Sequence, residues 1–149
     1  MRVIVQRTLR ASVVADGVLT GSIDKGFMLL IGFTHDDTID EIKLLAKKVI
    51  GLRIFEDEFG KINKSLADVN GAILAISQFT LYADCKKGNR PSFTTAMSFE
   101  KANEMYLKFC DVLRESSIKV EMGVFGADMK VDFVNDGPVT IILDSNELK

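Results

Sequence analysis

Cysteine, histidine and long apolar runs are what this sequence has least of, and each scarcity removes a class of chemistry. The two cysteines, Cys85 and Cys110, lie 25 positions apart and form no C-x-x-C or Cys/His cluster, so neither a disulfide framework nor a zinc site is indicated. His35 is the only histidine and sits in a Thr-His-Asp-Asp turn, where an imidazole is usually surface; a Ser/His/Asp reading would have to recruit it from there. The catalytic templates are missing too: no G-x-S-x-G elbow, no G-x-x-x-x-G-K-S/T loop, no H-E-x-x-H, no G-x-G-x-x-G. No metal and no cofactor is therefore expected, and any hydrolysis must draw its activation from elsewhere, for instance from a substrate hydroxyl beside the scissile bond. No stretch approaches the roughly 18 apolar residues of a membrane span, and residues 1 to 10 alternate apolar and polar instead of forming a leader. The expectation is a soluble, cytoplasmic chain without a membrane partner. A net charge of −2 excludes coating of nucleic acid by a basic face, and DNA is not expected as a partner. Lys86, Lys87 and Arg90 form one local basic cluster, which is either a solvated loop or a contact for one end of an RNA.

What is present is enough apolar material, 47% of 149 residues, to bury a single continuous core, so residues 1–149 are read as one domain. Residues 2 to 6 alternate, and apolar runs at 12–15 and 18–23 flank Asp16-Gly17, a dipeptide suited to tight hairpin turns. Gly26 to Phe33 is a continuous apolar run too short for a typical helix, hence a strand buried on both faces. From Thr38 the apolar residues Ile39, Ile42, Leu45, Ala46, Val49 and Ile50 follow helical spacing, and Thr38 with Glu41 matches a capping box. A polar connection from Glu56 to Asn70 precedes an apolar strand at 72–76. A second helix from Ser98 presents Phe99, Ala102, Tyr106, Phe109 and Leu113 on one face. The last third returns to strands: 118–122, then Met129, Val131 and Phe133 on one face, a turn at Asn135-Asp136-Gly137, and a closing strand from Pro138. Two helices between strand clusters, without regular βαβ alternation, predict a mixed α+β layered domain.

Two polar interruptions stand at the edges of apolar strands, where a rigid scaffold can hold a site. Ser77, Gln78 and Thr80 offer two hydroxyls, an amide and backbone N–H groups within four positions, suited to an ester carbonyl or a ribose; the alternative is a strand turning polar residues to solvent. In Asn135 to Thr140, Gly137 permits close backbone approach and Pro138 permits a cis peptide.

Ser77-Gln78-Phe79-Thr80-Leu81 followed by Asn135-Asp136-Gly137-Pro138-Val139-Thr140 resembles the paired signature of the D-aminoacyl-tRNA deacylases, also called D-tyrosyl-tRNA(Tyr) deacylases. The likeness extends over the whole chain, from M-R-V-I-V-Q-R at the start through G-N-R-P-S-F at 88–93 to F-G-A-D-M at 125–129. It implies a homodimer of a three-layer β/β/α fold that acts on the aminoacylated 3′ end of tRNA. It further implies that Gly137-Pro138 is cis and reaches into the partner subunit's pocket, where its carbonyls hold the α-amino group of a D-aminoacyl ester and leave no room for an L side chain. Glycine has no side chain to reject, so glycine misattached to tRNA(Ala) is an implied substrate as well. By the same likeness Ser77, Gln78, Phe79 and Thr80 line the site beneath the ester, with the Phe79 and Thr80 N–H groups as donors and the 2′-hydroxyl of the terminal adenosine assisting water attack. Phe125 and Met129 are candidates for the adenine pocket or else core residues. Arg7 is a candidate support for the Gly137-Pro138 peptide or else a surface ion pair, and Asn135 and Thr140 are further supports. A non-catalytic module that binds the tRNA 3′ end is the alternative, and an esterase using Ser77 with His35 a third.

Overall fold

The computed structural model describes residues 1–149, and its architecture follows from the several partners of one long strand. β1 (Arg2–Ala15) joins what read as two separate runs. Its first half pairs antiparallel with β3 (Gly26–Gly32), from Arg2↔Gly32 to Thr8↔Gly26, and its second half pairs antiparallel with β2 (Val18–Ile23). The change of partner falls at Thr8, whose hydroxyl accepts from the Arg10 N–H (3.1 Å) and donates to the Arg10 carbonyl, a local bond that interrupts the ladder. Asp16 and Gly17 turn the chain between β1 and β2, both at positive φ (47° and 83°), as a tight hairpin turn of this kind requires. On the other edge β8 (Met129–Asp144) runs antiparallel to both halves of β1.

Two parallel additions complete the sheet. β3 leads through α1 (Ile39–Gly51) to β6 (Ala72–Ser77), which lies parallel to it, and β6 leads through α2 (Phe99–Arg114) to β7 (Val120–Met122), again parallel. Two crossover units are thus embedded in an otherwise antiparallel arrangement, in the order β2-β1-β3-β6-β7 with β8 on β1. The alternation is not regular along the chain, as the sequence pattern implies, and the sheet is mixed. The segment from Glu56 to Asn70 is not wholly irregular, since β4 (Phe55–Glu56) and β5 (Ile62–Lys64) form a small hairpin. The chain closes in α3 (Ser145–Leu148), and no helix is long and apolar enough to cross a membrane.

The period-2 alternation of β3 and β6 separates two cores. Phe27, Leu29, Ile31, Ile73 and Ala75 face the helices and join Ile42, Leu45, Val49, Tyr106, Phe109 and Leu113 in the larger cluster. The intervening Met28, Leu74 and Ile76 face the other way and meet Ala11, Val13 and Ile23, with Val131 and Phe133 of β8 packed alongside. The result is three layers, β/β/α, because both faces of the central strands are apolar and each must be covered. The capping box that starts α1 is formed: the Thr38 N–H donates to Glu41 Oε2 (2.6 Å) and the Asp40 N–H to Thr38 Oγ1 (3.2 Å). In α2 the expected face is buried apart from its first member. Phe99 is 61% exposed, because at the helix start it lies beyond the core, on the rim of the cavity described next.

The last strand holds the largest departure from expectation. Asn135-Asp136-Gly137 is not a turn; β8 continues through it. Asn135 pairs with Thr8 and Thr140 with Gln6, so five steps along β8 face two along β1. Residues 136–139 are therefore pushed out of the ladder as a bulge.

Candidate active site

A cavity of about 520 Å³ opens between the C-terminal end of β6 and the start of β8. Its floor is set by where the parallel ladder stops. The Gln78 N–H makes a final bond to the Ile31 carbonyl (2.7 Å), and the chain then winds into a single 3₁₀ turn, Phe79–Tyr82. Ser77, Gln78 and Phe79 line the cavity from this side. The first N–H groups of such a turn have no partner within it, and those of Phe79 and Thr80 donate to no other protein acceptor. Thr80 itself is outside the lining; its hydroxyl accepts a hydrogen bond from the Gln78 side-chain amide.

Phe125 and Met129 form part of the opposite wall. Phe125 is fixed by its neighbours, edge-on to Phe99 with ring centroids 5.0 Å apart and tilted against Tyr106 at 5.9 Å. Tyr106 is in turn tied to β6, its hydroxyl donating to the Ala75 carbonyl (2.7 Å). Burial pushes the Tyr106 phenol up from its ordinary value, so it stays a neutral donor. Gly126 has φ +78°, and a Cβ there would stand 2.5 Å from the Phe99 ring; only glycine lets that ring lie across the loop. Among the lining side chains only Ser77 and Gln78 are polar, so the cavity is an apolar slot with hydrogen-bonding groups at one end. That is the usual form of a small-ligand site.

The second sequence candidate lies apart. Gly137 and Pro138 are exposed on the bulge of β8, joined by a cis peptide bond, and neither lines the cavity of its own chain. Arg7 holds the base of the bulge. It is buried, its Nη1 donates to the Ile54 carbonyl (2.8 Å), its Nε donates to the Asp136 carbonyl (3.1 Å), and it lies 3.4 Å from the Asp136 carboxylate. This is an anchor from inside the fold, not a surface ion pair. Asn135 and Thr140 meet through a residue that sequence reasoning missed: Gln6 Oε1 accepts from Asn135 Nδ2 (2.7 Å) and from the Thr140 hydroxyl. The signal for Gln6 is register, visible only once β1 is laid against β8. Asn135 Oδ1 is buried without a partner. His35 is exposed, with Nε2 2.6 Å from the Thr94 carbonyl, and is not among the cavity residues.

A family model described as D-Tyr-tRNA(Tyr) deacylase matches residues 4–144. Proteins named D-aminoacyl-tRNA deacylase from Clostridium novyi (strain NT) and Thermus aquaticus are 56% and 52% identical to the chain over 147 residues, in alignments that cover 99% of it and 99% and 97% of theirs. Among solved structures, a c-Myc DNA Unwinding Element Binding Protein is 42% identical with a TM-score of 0.90, the match covering 97% of this chain and 98% of that one. A structure described as a probable eukaryotic D-amino acid tRNA deacylase superposes with a TM-score of 0.82 at 20% identity, covering 95% and 97% of the two chains; at that identity the likeness is one of fold.

Proposed function

The chain belongs to the D-Tyr-tRNA(Tyr) deacylase family, and on that premise we propose how its own residues deacylate D-aminoacyl-tRNA. As a member of this family it is a hydrolase of the ester that links an amino acid to the tRNA 3′ end. The observation that carries the reading is an apolar slot with an aromatic and thioether wall at Phe125 and Met129 that ends at the Phe79-Thr80 turn, whose two N–H groups have no protein acceptor. An aminoacyl ester of adenosine has a matching division: a carbonyl that gathers negative charge during attack, and a flat base that stacks.

In this proposal the terminal adenine rests against Phe125 and Met129, and the ester carbonyl points to the Phe79 and Thr80 N–H groups, with Ser77 and Gln78 beside the ribose. Preorganised backbone donors stabilise the tetrahedral oxyanion more than the ground-state carbonyl, which is how they lower the barrier. The 2′-hydroxyl of the adenosine assists attack by water, so no side-chain base is required and Thr80 acts through its backbone. Stereoselectivity comes from a second copy of the chain. In a homodimer, Gly137-Pro138 of one copy projects into the slot of the other and its carbonyls receive the α-amino group, and the same backbone occupies the space an L side chain would need. Arg7, Asn135 and Thr140 support that bulge. Glycine passes the same filter, which extends the proposal to mischarged glycyl-tRNA(Ala). Residues 1–149 act as one deacylase domain in the cytoplasm.

The test is release of free D-tyrosine from D-tyrosyl-tRNA by the purified protein in single-turnover conditions. Release faster than the spontaneous rate is expected. A protein that binds the tRNA but releases nothing would instead be a module for holding the RNA end.

A further inference from the structure

The cavity accounts for one nucleotide of a long polyanion, and the chain has a feature beside it that the catalytic reading leaves unused. The segment between Asp84 and Ser92 is a loop closed at its base by a reciprocal pair of backbone bonds, Asp84 N–H to the Ser92 carbonyl (2.8 Å) and Ser92 N–H to the Asp84 carbonyl (2.9 Å). Both stems lead from the cavity. Phe79, before the loop, and Met97, after it, are lining residues, and Phe79 packs edge-on against Phe93 with ring centroids 5.0 Å apart. The Thr95 hydroxyl donates to the Tyr82 carbonyl (3.0 Å) and binds the two stems together. The loop is thus a fixed projection at the cavity mouth, and three or four residues on each limb extend it by roughly 10 Å.

Its charge runs against that of the molecule. The chain carries a net −2, yet Lys86, Lys87 and Arg90 fall within five positions, all exposed and none in an ion pair. The single carboxylate of the loop, Asp84, is engaged by the backbone, its Oδ1 accepting the Lys86 N–H (2.9 Å). Three unpaired cations on a braced loop beside a site for the end of an RNA suit phosphate groups, which position a nucleic acid without reading its sequence.

Resting on the deacylase reading, we infer that the 84–92 loop is the phosphate-binding element of this enzyme: Lys86, Lys87 and Arg90 contact the backbone of the tRNA acceptor end just before the adenosine held in the cavity. The interaction is electrostatic and releases counterions, so it has a numerical signature. Each phosphate contact contributes about 0.7 to 0.9 to the slope of log affinity against log salt, and three contacts weaken binding roughly 20- to 40-fold between 50 and 200 mM salt.

The experiment compares the wild-type protein with the triple variant Lys86→Gln, Lys87→Gln, Arg90→Gln and with a charge-preserving Lys86→Arg, Lys87→Arg protein. Two quantities are measured: the Kd for uncharged tRNA across 50 to 200 mM salt, and kcat/KM on D-tyrosyl-tRNA and on the 3′-D-tyrosyl ester of adenosine, which has no phosphate. The triple variant is expected to bind tRNA at least tenfold more weakly at 50 mM, with a salt slope flatter by about 2 to 3. Its kcat/KM on the tRNA substrate should fall in step while that on the adenosine ester holds, and the arginine variant should behave as wild type. An unchanged slope, or an equal loss on the adenosine ester, overturns the inference. Because the Kd is read without hydrolysis, a protein that releases no D-tyrosine yet loses its salt slope in the triple variant defeats the deacylase reading and leaves the loop assignment standing. A protein that hydrolyses but keeps its slope in that variant defeats the loop assignment alone.

Discussion

Replacing Gly137 by alanine tests whether the β8 bulge is held as a rigid unit. Gly137 has φ +120°, and a Cβ there would stand 2.9 Å from Arg7 Nη2, 2.9 Å from Val139 Cγ2 and 3.2 Å from the Val139 nitrogen. The backbone conformation alone costs an L residue about 1–3 kcal/mol. Arg7 cannot move aside freely, because it is buried and its hydrogen bonds to Ile54 and Asp136 are charge-assisted; losing one costs about 1.5–3 kcal/mol. Together the penalties come to about 2.5–6 kcal/mol, or a fall in Tm on the order of 10 °C for a chain of this size. The assay is a thermal melt of Gly137→Ala, Arg7→Ala and the double variant. Because Arg7→Ala removes one of the clashing groups, the glycine substitution should cost at least about 1 kcal/mol less in that background. Hydrolysis of D-tyrosyl-tRNA should drop more than tenfold in Gly137→Ala, with the proposed dimer preserved on size-exclusion chromatography. A melt within about 2 °C of wild type, or strictly additive penalties, would refute the anchoring of the bulge by Arg7.

Three further expectations are independent of that one. His35→Ala should keep hydrolysis of D-tyrosyl-tRNA within about twofold of wild type, whereas an esterase built on Ser77 and His35 would lose several orders of magnitude. A substrate whose terminal adenosine lacks the 2′-hydroxyl should be hydrolysed at least about a hundredfold more slowly, since a positioned catalytic group supplies that order of acceleration; an unchanged rate would remove the nucleotide from the mechanism. Glu41 is held down at about 2 by the hydrogen bond from the Lys149 side chain and then by the Thr38 N–H, from an ordinary 4.5. A depressed carboxyl stabilises the fold fully above 4.5 and loses that contribution as pH falls toward 2. The melting temperature of wild type should accordingly drop more steeply over that window than that of Glu41→Gln, and parallel curves would count against the capping network as its source.

The parts of this fold that the sequence announces are those where local and tertiary preferences agree. The capping box at Thr38 and Glu41, the buried run at 26–33 and the hairpin at Asp16-Gly17 are examples, and each recurs in the structure where its residues place it. Ser77 and Gln78 were legible as a polar stop on an apolar strand, and they do stand at the end of the β3–β6 ladder. What was hidden depends on pairing between distant segments. Asn135-Asp136-Gly137-Pro138 has the composition of a turn, and only the register against β1 makes it a bulge within a continuous strand. Gln6 alternates like any strand residue until Thr140 and Asn135 are brought opposite it. Phe99 obeys helical spacing, yet its place at the first turn takes it off the core and onto the cavity rim. The parallel placement of β6 and β7 has no local marker at all, since it follows from helices covering one face of the sheet.

The most direct measurement is the ratio of hydrolysis rates for the D- and L-tyrosyl esters of the same tRNA, taken with one preparation of the protein. A backbone clamp contributed by the second subunit predicts rapid loss of the D ester and an L ester that decays no faster than it does in buffer. Comparable enzyme-driven rates for the two would contradict it.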